Sequence, residues 1–187
     1  MTPPIGIDAI AIATSKYVLD LALLAEARSI DPKKFAAGLG QHAMSVAPPD
    51  EDIVTLAAQA AHSCLENRDS STLGAIFFAT ESGIDQSKAA GIWVQHLLQL
   101  PKQLRIIELK QACYSATCAL QMACAFVARE PHKSALVLAS DIARYGLGTP
   151  GEPTQGCGAA ALLITANPRL VAIDPEYGCY ADHVMDL

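Results

Sequence analysis

The stretch ELKQACYSATCALQM, residues 108–122, contains the change of pattern from which the rest of the chain is read. Glu108 and Leu109 close an apolar run of strand length that starts at Leu104. From Cys113 onward Ala116, Leu120, Ala123 and Val127 recur at helical spacing. The stretch therefore places a thiol where a strand hands over to a helix. The unpaired N–H groups at a helix N-terminus carry roughly half a positive charge, which favours the nucleophilic form of sulfur and can hold a developing oxyanion. A small core residue, the usual fate of a free cysteine, fits the same pattern. On this stretch alone both readings stand.

The flanking segments repeat the alternation. Leu73–Ala79 (LGAIFFA) and Ser134–Ser140 (SALVLAS) are continuous apolar runs, the mark of strands buried on both faces. A helix is predicted over Gln86–Leu100, bounded by Pro101, and another from the Cys113 turn to Arg129. This βαβ repetition predicts parallel pairing. Upstream, Ile5–Ala13 reads as a strand and Asp20–Arg28 as a short helix with Asp20 as its N-cap. A second capped turn starts at Asp31, with Pro32 at the first helical position. Residues 38–49 (GLGQHAMSVAPP) are expected to be loop or short extended chain. Over residues 50–67 an amphipathic helix places Ile53, Leu56, Ala57, Ala60, Ala61 and Cys64 on one face and His62 on the polar side. Downstream, a Gly- and Pro-rich loop from Tyr145 to Gly156 precedes a strand over Cys157–Thr165, and Arg169–Ile173 reads as a last hairpin partner.

Composition narrows the function classes. The 187 residues are 51% hydrophobic and 17% charged, enough apolar material for a sizeable core. A net charge of −6 argues against a nucleic-acid or anionic-membrane surface. No segment reaches 18 uninterrupted apolar residues and the first residues lack a secretory pattern, so a cytoplasmic protein without a membrane partner is expected. The six cysteines (64, 113, 118, 124, 157 and 179) form no C-x-x-C pair and are expected to be reduced thiols rather than zinc ligands. No two histidines share a ligand-like spacing with a carboxylate, so no metal site is expected. Neither G-x-x-x-x-G-K-[ST] nor, after the first strand, G-x-G-x-x-G is present.

In an open α/β sheet, ligands gather outside the carboxyl ends of the strands. Glu81, Cys113, Asp141 and the Tyr145–Gly156 loop all follow strands directly and so converge on one edge. Desolvation at a strand mouth would suit Glu81 to proton transfer, although a capping or salt-bridged glutamate fits equally well. Asp141 reads as a loop-fixing carboxylate that accepts backbone N–H bonds. A histidine-activated thiol would need a partner from His42, His62, His96, His132 or His183. Only His183 stays open for that role.

Four strings, ATESGIDQSKAA (79–90), ELKQACYSATCALQMA (108–123), SDIARYGLGTPGEPTQGCGAAALL (140–163) and YVLDLALLAEARSIDPKKFAAGLGQHAM (17–44), resemble the bacterial 3-hydroxy-3-methylglutaryl-CoA synthases of the mevalonate pathway. The resemblance implies a thiolase-like layered α/β/α/β/α fold. Residues 1–166 would be its N-terminal half and residues 167–187 the truncated start of the C-terminal half. It implies a homodimer that condenses acetyl-CoA with acetoacetyl-CoA and needs no cofactor, the CoA thioesters being substrates. Cys113 would be the acyl-accepting nucleophile and Glu81 the general acid/base. Thr154 and Tyr145 would contact substrate, and Asp31 and Pro32 would lie near bound CoA. The family's histidine, its CoA-binding lysines and an asparagine would lie beyond residue 187, so the isolated chain is expected to dissolve poorly or not turn over. Two further roles fit the same residues: a β-branching synthase of polyketide assembly that takes acyl-carrier-protein thioesters, and a non-catalytic CoA-binding or dimerising unit.

Overall fold

The computed structural model describes residues 3–183. Residues 184–187, the end of the expected second segment, lie outside the described residues. The main sheet has six strands in the order β5-β4-β6-β7-β1-β8. They are β1 (Ile5–Ala13), β4 (Leu73–Ala79), β5 (Arg105–Leu109), β6 (Ser134–Ala143), β7 (Gly156–Ala166) and β8 (Val171–Ala172). Strand β4 is parallel to both β5 and β6, as the βαβ repetition predicts, whereas β7 runs antiparallel to β6 and β1.

Alternation along the central strands builds the layers. Side chains two residues apart share a face. Ile76, Phe78, Leu136 and Leu138 point to one side, where α3 (Ile53–Leu65) and α4 (Gly91–Leu97) cover them. Ala75, Phe77, Ala79, Ala135 and Val137 point to the other, against Ala119, Ala123 and Val127 of α5 (Ser115–Arg129). Each large side chain buried in this way contributes roughly 1.5–3 kcal/mol. Helix α3 starts at a capping box: the Asp52 carboxylate accepts the Val54 and Thr55 N–H groups, and the Thr55 hydroxyl accepts the Asp52 N–H. The predicted apolar face of α3 is buried, and His62 is exposed.

Four expectations are corrected. The helix expected over 86–100 shrinks to α4, because the Glu108 carboxylate takes the Ala90 N–H at 2.7 Å, a donor that a helix begun at Gln86 would need for its first turn. A Cβ on Gly91 would also stand 2.8 Å from the Ile106 side chain, so the chain enters α4 pressed on β5. Strand β6 continues through Asp141 to Ala143, because β7 supplies a partner beyond the point where β4 ends. Residues 43–46 are the short extended chain that is one of the two expected forms: they make β3 (Ala43–Val46), paired with an unforeseen β2 (Tyr17–Asp20). Helix α2 (Lys33–Leu39) begins one residue after Pro32, with the Asp31 carboxylate on the Lys33 N–H at 3.0 Å. Finally, β8 pairs with β1 rather than returning on β7. That approach needs Gly6, where a Cβ would overlap the Val171 carbonyl.

Strands β2 and β3 with α1 (Leu21–Ala27) and α2 form a small unit with its own cluster of Leu21, Leu24, Ala25, Phe35 and Met44. Asp20 caps α1 as expected, accepting the Ala22 N–H at 2.7 Å.

Candidate active site

Parallel pairing of β4 with β5 sets Ala79 opposite Leu109, so the residues that follow leave the sheet side by side. The Thr80 N–H donates to the Leu109 carbonyl at 3.2 Å and keeps the two exits together. One exit carries Glu81 and the other Cys113. The Cys113 Sγ stands 3.8 Å from the Glu81 Oε1, although the two residues are 32 apart in sequence.

Cys113 is not inside a helix. It occupies a tight turn in which Tyr114 N–H donates to the Gln111 carbonyl and Ser115 N–H to the Ala112 carbonyl, and α5 begins only at Ser115. Ala112 has φ +43°, a left-handed conformation that costs a non-glycine residue on the order of 1 kcal/mol. The Ser115 hydroxyl offsets part of this cost by donating to the Ala112 carbonyl at 2.9 Å. The turn lifts the thiol to the surface: Cys113 is exposed, which removes the core-residue reading. All six cysteines are free thiols, and Cys64 and Cys157 are the buried ones.

Asp141 holds the opposite exit. Its Oδ1 accepts from the Thr80 hydroxyl (2.9 Å), the Glu81 N–H (2.7 Å), the Ser82 N–H (3.0 Å) and the Ser82 hydroxyl (2.9 Å). The loop-fixing reading is therefore correct, and the loop it fixes is the one that bears Glu81. Glu108 braces the same loop from the far side through Ala90. Glu81, Asp85, Lys88, Glu108 and Lys110 help line a cavity of about 600 Å³ beside the pair. Glu108 and Ser82 escaped the sequence reading. A lone carboxylate near the end of an otherwise apolar strand was the available signal for Glu108.

A family model described as hydroxymethylglutaryl-coenzyme A synthase N terminal matches residues 2–169. The chain belongs to the hydroxymethylglutaryl-CoA synthase family. It is 47% identical to the hydroxymethylglutaryl-CoA synthase of Enterococcus faecalis over 92% of its length, which is 45% of that protein. It superposes with a TM-score of 0.90 and 45% identity on the structure of MvaS in complex with 3-hydroxy-3-methylglutaryl coenzyme A, over 93% of this chain and 43% of that one. It is 35% identical to the polyketide biosynthesis 3-hydroxy-3-methylglutaryl-ACP synthase PksG of Bacillus subtilis, over 97% of this chain and 47% of that protein. The chain thus spans less than half the length of these relatives. Its fold is the thiolase-like α/β arrangement of the synthase family, and it contributes one helix, one sheet and one helix layer.

The other residues that the synthase resemblance implies lie apart from the pair. Thr154 is exposed at the end of a short 3-10 turn, its hydroxyl on the Gly151 carbonyl. Tyr145 is exposed, its backbone N–H held by the Gln155 side chain at 2.8 Å and its ring against Gly151. Asp31 and Pro32 are exposed at the start of α2. Among the described residues none of the four hydrogen-bonds Glu81 or Cys113. His183 is exposed, and its backbone N–H turns back to Asp182.

Proposed function

We propose that the chain supplies the nucleophile and the base of a hydroxymethylglutaryl-CoA synthase, the enzyme that condenses acetyl-CoA, acetoacetyl-CoA and water into HMG-CoA and CoA. The observation that carries this reading is the 3.8 Å approach of an exposed thiol to a carboxylate, from the ends of two adjacent parallel strands. The Cys113 sulfur attacks the thioester carbonyl of acetyl-CoA, and CoA departs as its thiol, leaving an acetyl-cysteine. Glu81 then takes a proton from the acetyl methyl group, as its place beside the sulfur suits it to do. The enolate carbon adds to the ketone of acetoacetyl-CoA, the new alkoxide gains a proton, and water cleaves the cysteine thioester.

Thr154, Tyr145, Asp31 and Pro32 are assigned to the CoA thioesters, supported by their exposure on loops at the same side of the sheet as the strand exits. Residues 1–166 are assigned to the N-terminal half of the fold and 167–187 to the start of the next. A homodimer is supported by β5, an edge strand that among the described residues pairs only with β4. Cytoplasmic location is supported by the acidic composition, and among the described residues no helix is long and apolar enough to cross a membrane.

Incubation with isotopically labelled acetyl-CoA and peptide mass analysis test the reading. Label is expected on the peptide that carries Cys113, absent in Cys113→Ala, and retained without solvent exchange of the acetyl methyl protons in Glu81→Gln. No label in wild type would refute it. Label accepted only from an acetyl-carrier protein would reassign the chain to the polyketide branch that PksG represents.

A further inference from the structure

One buried carboxylate makes three polar contacts that no step above employs. Glu152 is 4% exposed and sits at the centre of the loop between β6 and β7. Its Oε2 accepts the Gly148 N–H at 2.8 Å and the Arg28 Nε at 2.8 Å, while its Oε1 accepts the second guanidinium nitrogen at 2.6 Å. Two parallel bonds of this kind fix angle as well as distance, as a single lysine contact would not.

The two ends of the pair belong to different parts of the molecule. Arg28 is the C-cap of α1 and stands three residues ahead of Asp31. Glu152 stands two residues ahead of Thr154, in a loop that is otherwise held by its own atoms: Tyr145 to Gln155, the Thr149 hydroxyl to Gly146, and the Thr154 hydroxyl to Gly151. Gly148, at φ +73°, bends its N–H inward to the same carboxylate. Ser45 ties the small unit to Cys157 of β7, but among the described residues the Arg28–Glu152 pair is the ion pair that joins the unit to the loop.

We infer that Arg28 and Glu152 form a positioning clamp that holds the segment carrying Asp31 and Pro32 at a set separation from the loop carrying Thr154 and Tyr145. The inference rests on the proposed role of those four residues in holding CoA thioesters. Neither member of the clamp touches the reacting atoms. Its function is to keep two arms of one binding site in register, so that thioester binding does not have to order them. The Arg28 guanidinium also holds the Glu152 carboxyl down to about 2, so the clamp stays ionised at neutral pH.

The test uses the whole protein, with Glu152→Gln, Arg28→Gln and the double variant. Glu152→Gln keeps size and one acceptor, which protects folding. Hydrogen exchange is expected to rise in both segments, 29–35 and 145–156, in either single variant. The acetyl-CoA concentration that half-saturates Cys113 acetylation is expected to rise by about fivefold or more, with the maximal rate within about twofold. The double variant is expected to match the worse single variant rather than multiply the two effects, because both break one interaction. Faster exchange confined to the substituted segment, or a multiplied effect in the double variant, would overturn the clamp. So would loosening of both segments with unchanged half-saturation, which would mark the pair as merely structural. An unacetylated wild type would instead sink the assignment of Cys113, while the exchange data still report whether the two segments are coupled.

Discussion

The two sides of the proposed thioester site are built by opposite means. At the Glu81–Cys113 side, the Glu81 exit leaves the interior strand β4, the Cys113 exit leaves the adjacent edge strand β5, and one carboxylate, Asp141, collects four donors from three consecutive residues. Beneath it lies the main core, with Phe78 fully buried among α3 and α4 side chains. At the Asp31–Thr154 side, a small unit with a five-residue cluster faces a loop without regular pairing, and one ion pair spans them. The first side is held by many bonds in parallel and the second by few bonds in series. Reacting atoms need sub-ångström placement, and the proposed nucleophile and base sit on the first side; the segments proposed to hold a large substrate sit on the second.

The contrast can be broken or sharpened experimentally, beginning with the largest effect. Phe78→Ala should cost about 3–5 kcal/mol in urea unfolding, whereas Phe35→Ala in the small unit should cost roughly half as much. Equal costs would show that the small unit is as firmly packed as the main core. Next comes Asp141→Ala, which removes the acceptor of two backbone N–H groups and two hydroxyls. It should slow Cys113 acetylation or methyl-proton exchange by about a hundredfold, the penalty for moving a reacting group by about 1 Å. Asp141→Asn keeps an acceptor oxygen and should lose less.

The smallest effect concerns pH. Glu152 sits at about 2 in the folded chain against an ordinary 4.5, so the folded form binds its proton more weakly. Its contribution to stability is therefore fully present above about 4.5 and is lost as pH falls toward about 2. Acid titration of wild type against Glu152→Gln should show a stability difference that is constant near neutrality and closes across that window. A difference that closed between pH 6 and 8 would mean that another group is titrating.

Much of the framework was legible because it depends on local periodicity. The LGAIFFA and SALVLAS runs could only be two-sided strands, and the spacing of Ile53, Leu56, Ala57 and Ala60 could only bury a helix face. The misreadings share a cause: a partner distant in sequence. Glu108 delays the start of α4 by taking the Ala90 N–H, β7 lengthens β6 past Asp141, and Tyr17–Asp20 is a strand because Ala43–Val46 lies beside it. Arg28 and Glu152 are separated by 124 positions, and nothing in either neighbourhood announces the other.

By itself the sequence determined that Glu81 and Cys113 follow strands and that Asp141 is a loop-fixing carboxylate, and its resemblance to the synthases named the chemistry those residue types suit. Only the tertiary structure decided that Cys113 is exposed on a turn ahead of α5, that its sulfur faces Glu81, and that Asp141 grips the residues around that carboxylate. The reason is physical. Strand and helix propensities act over a few residues, whereas the distance between two strand exits is set by which strands pair and in what register, a choice made by the packing of the whole core.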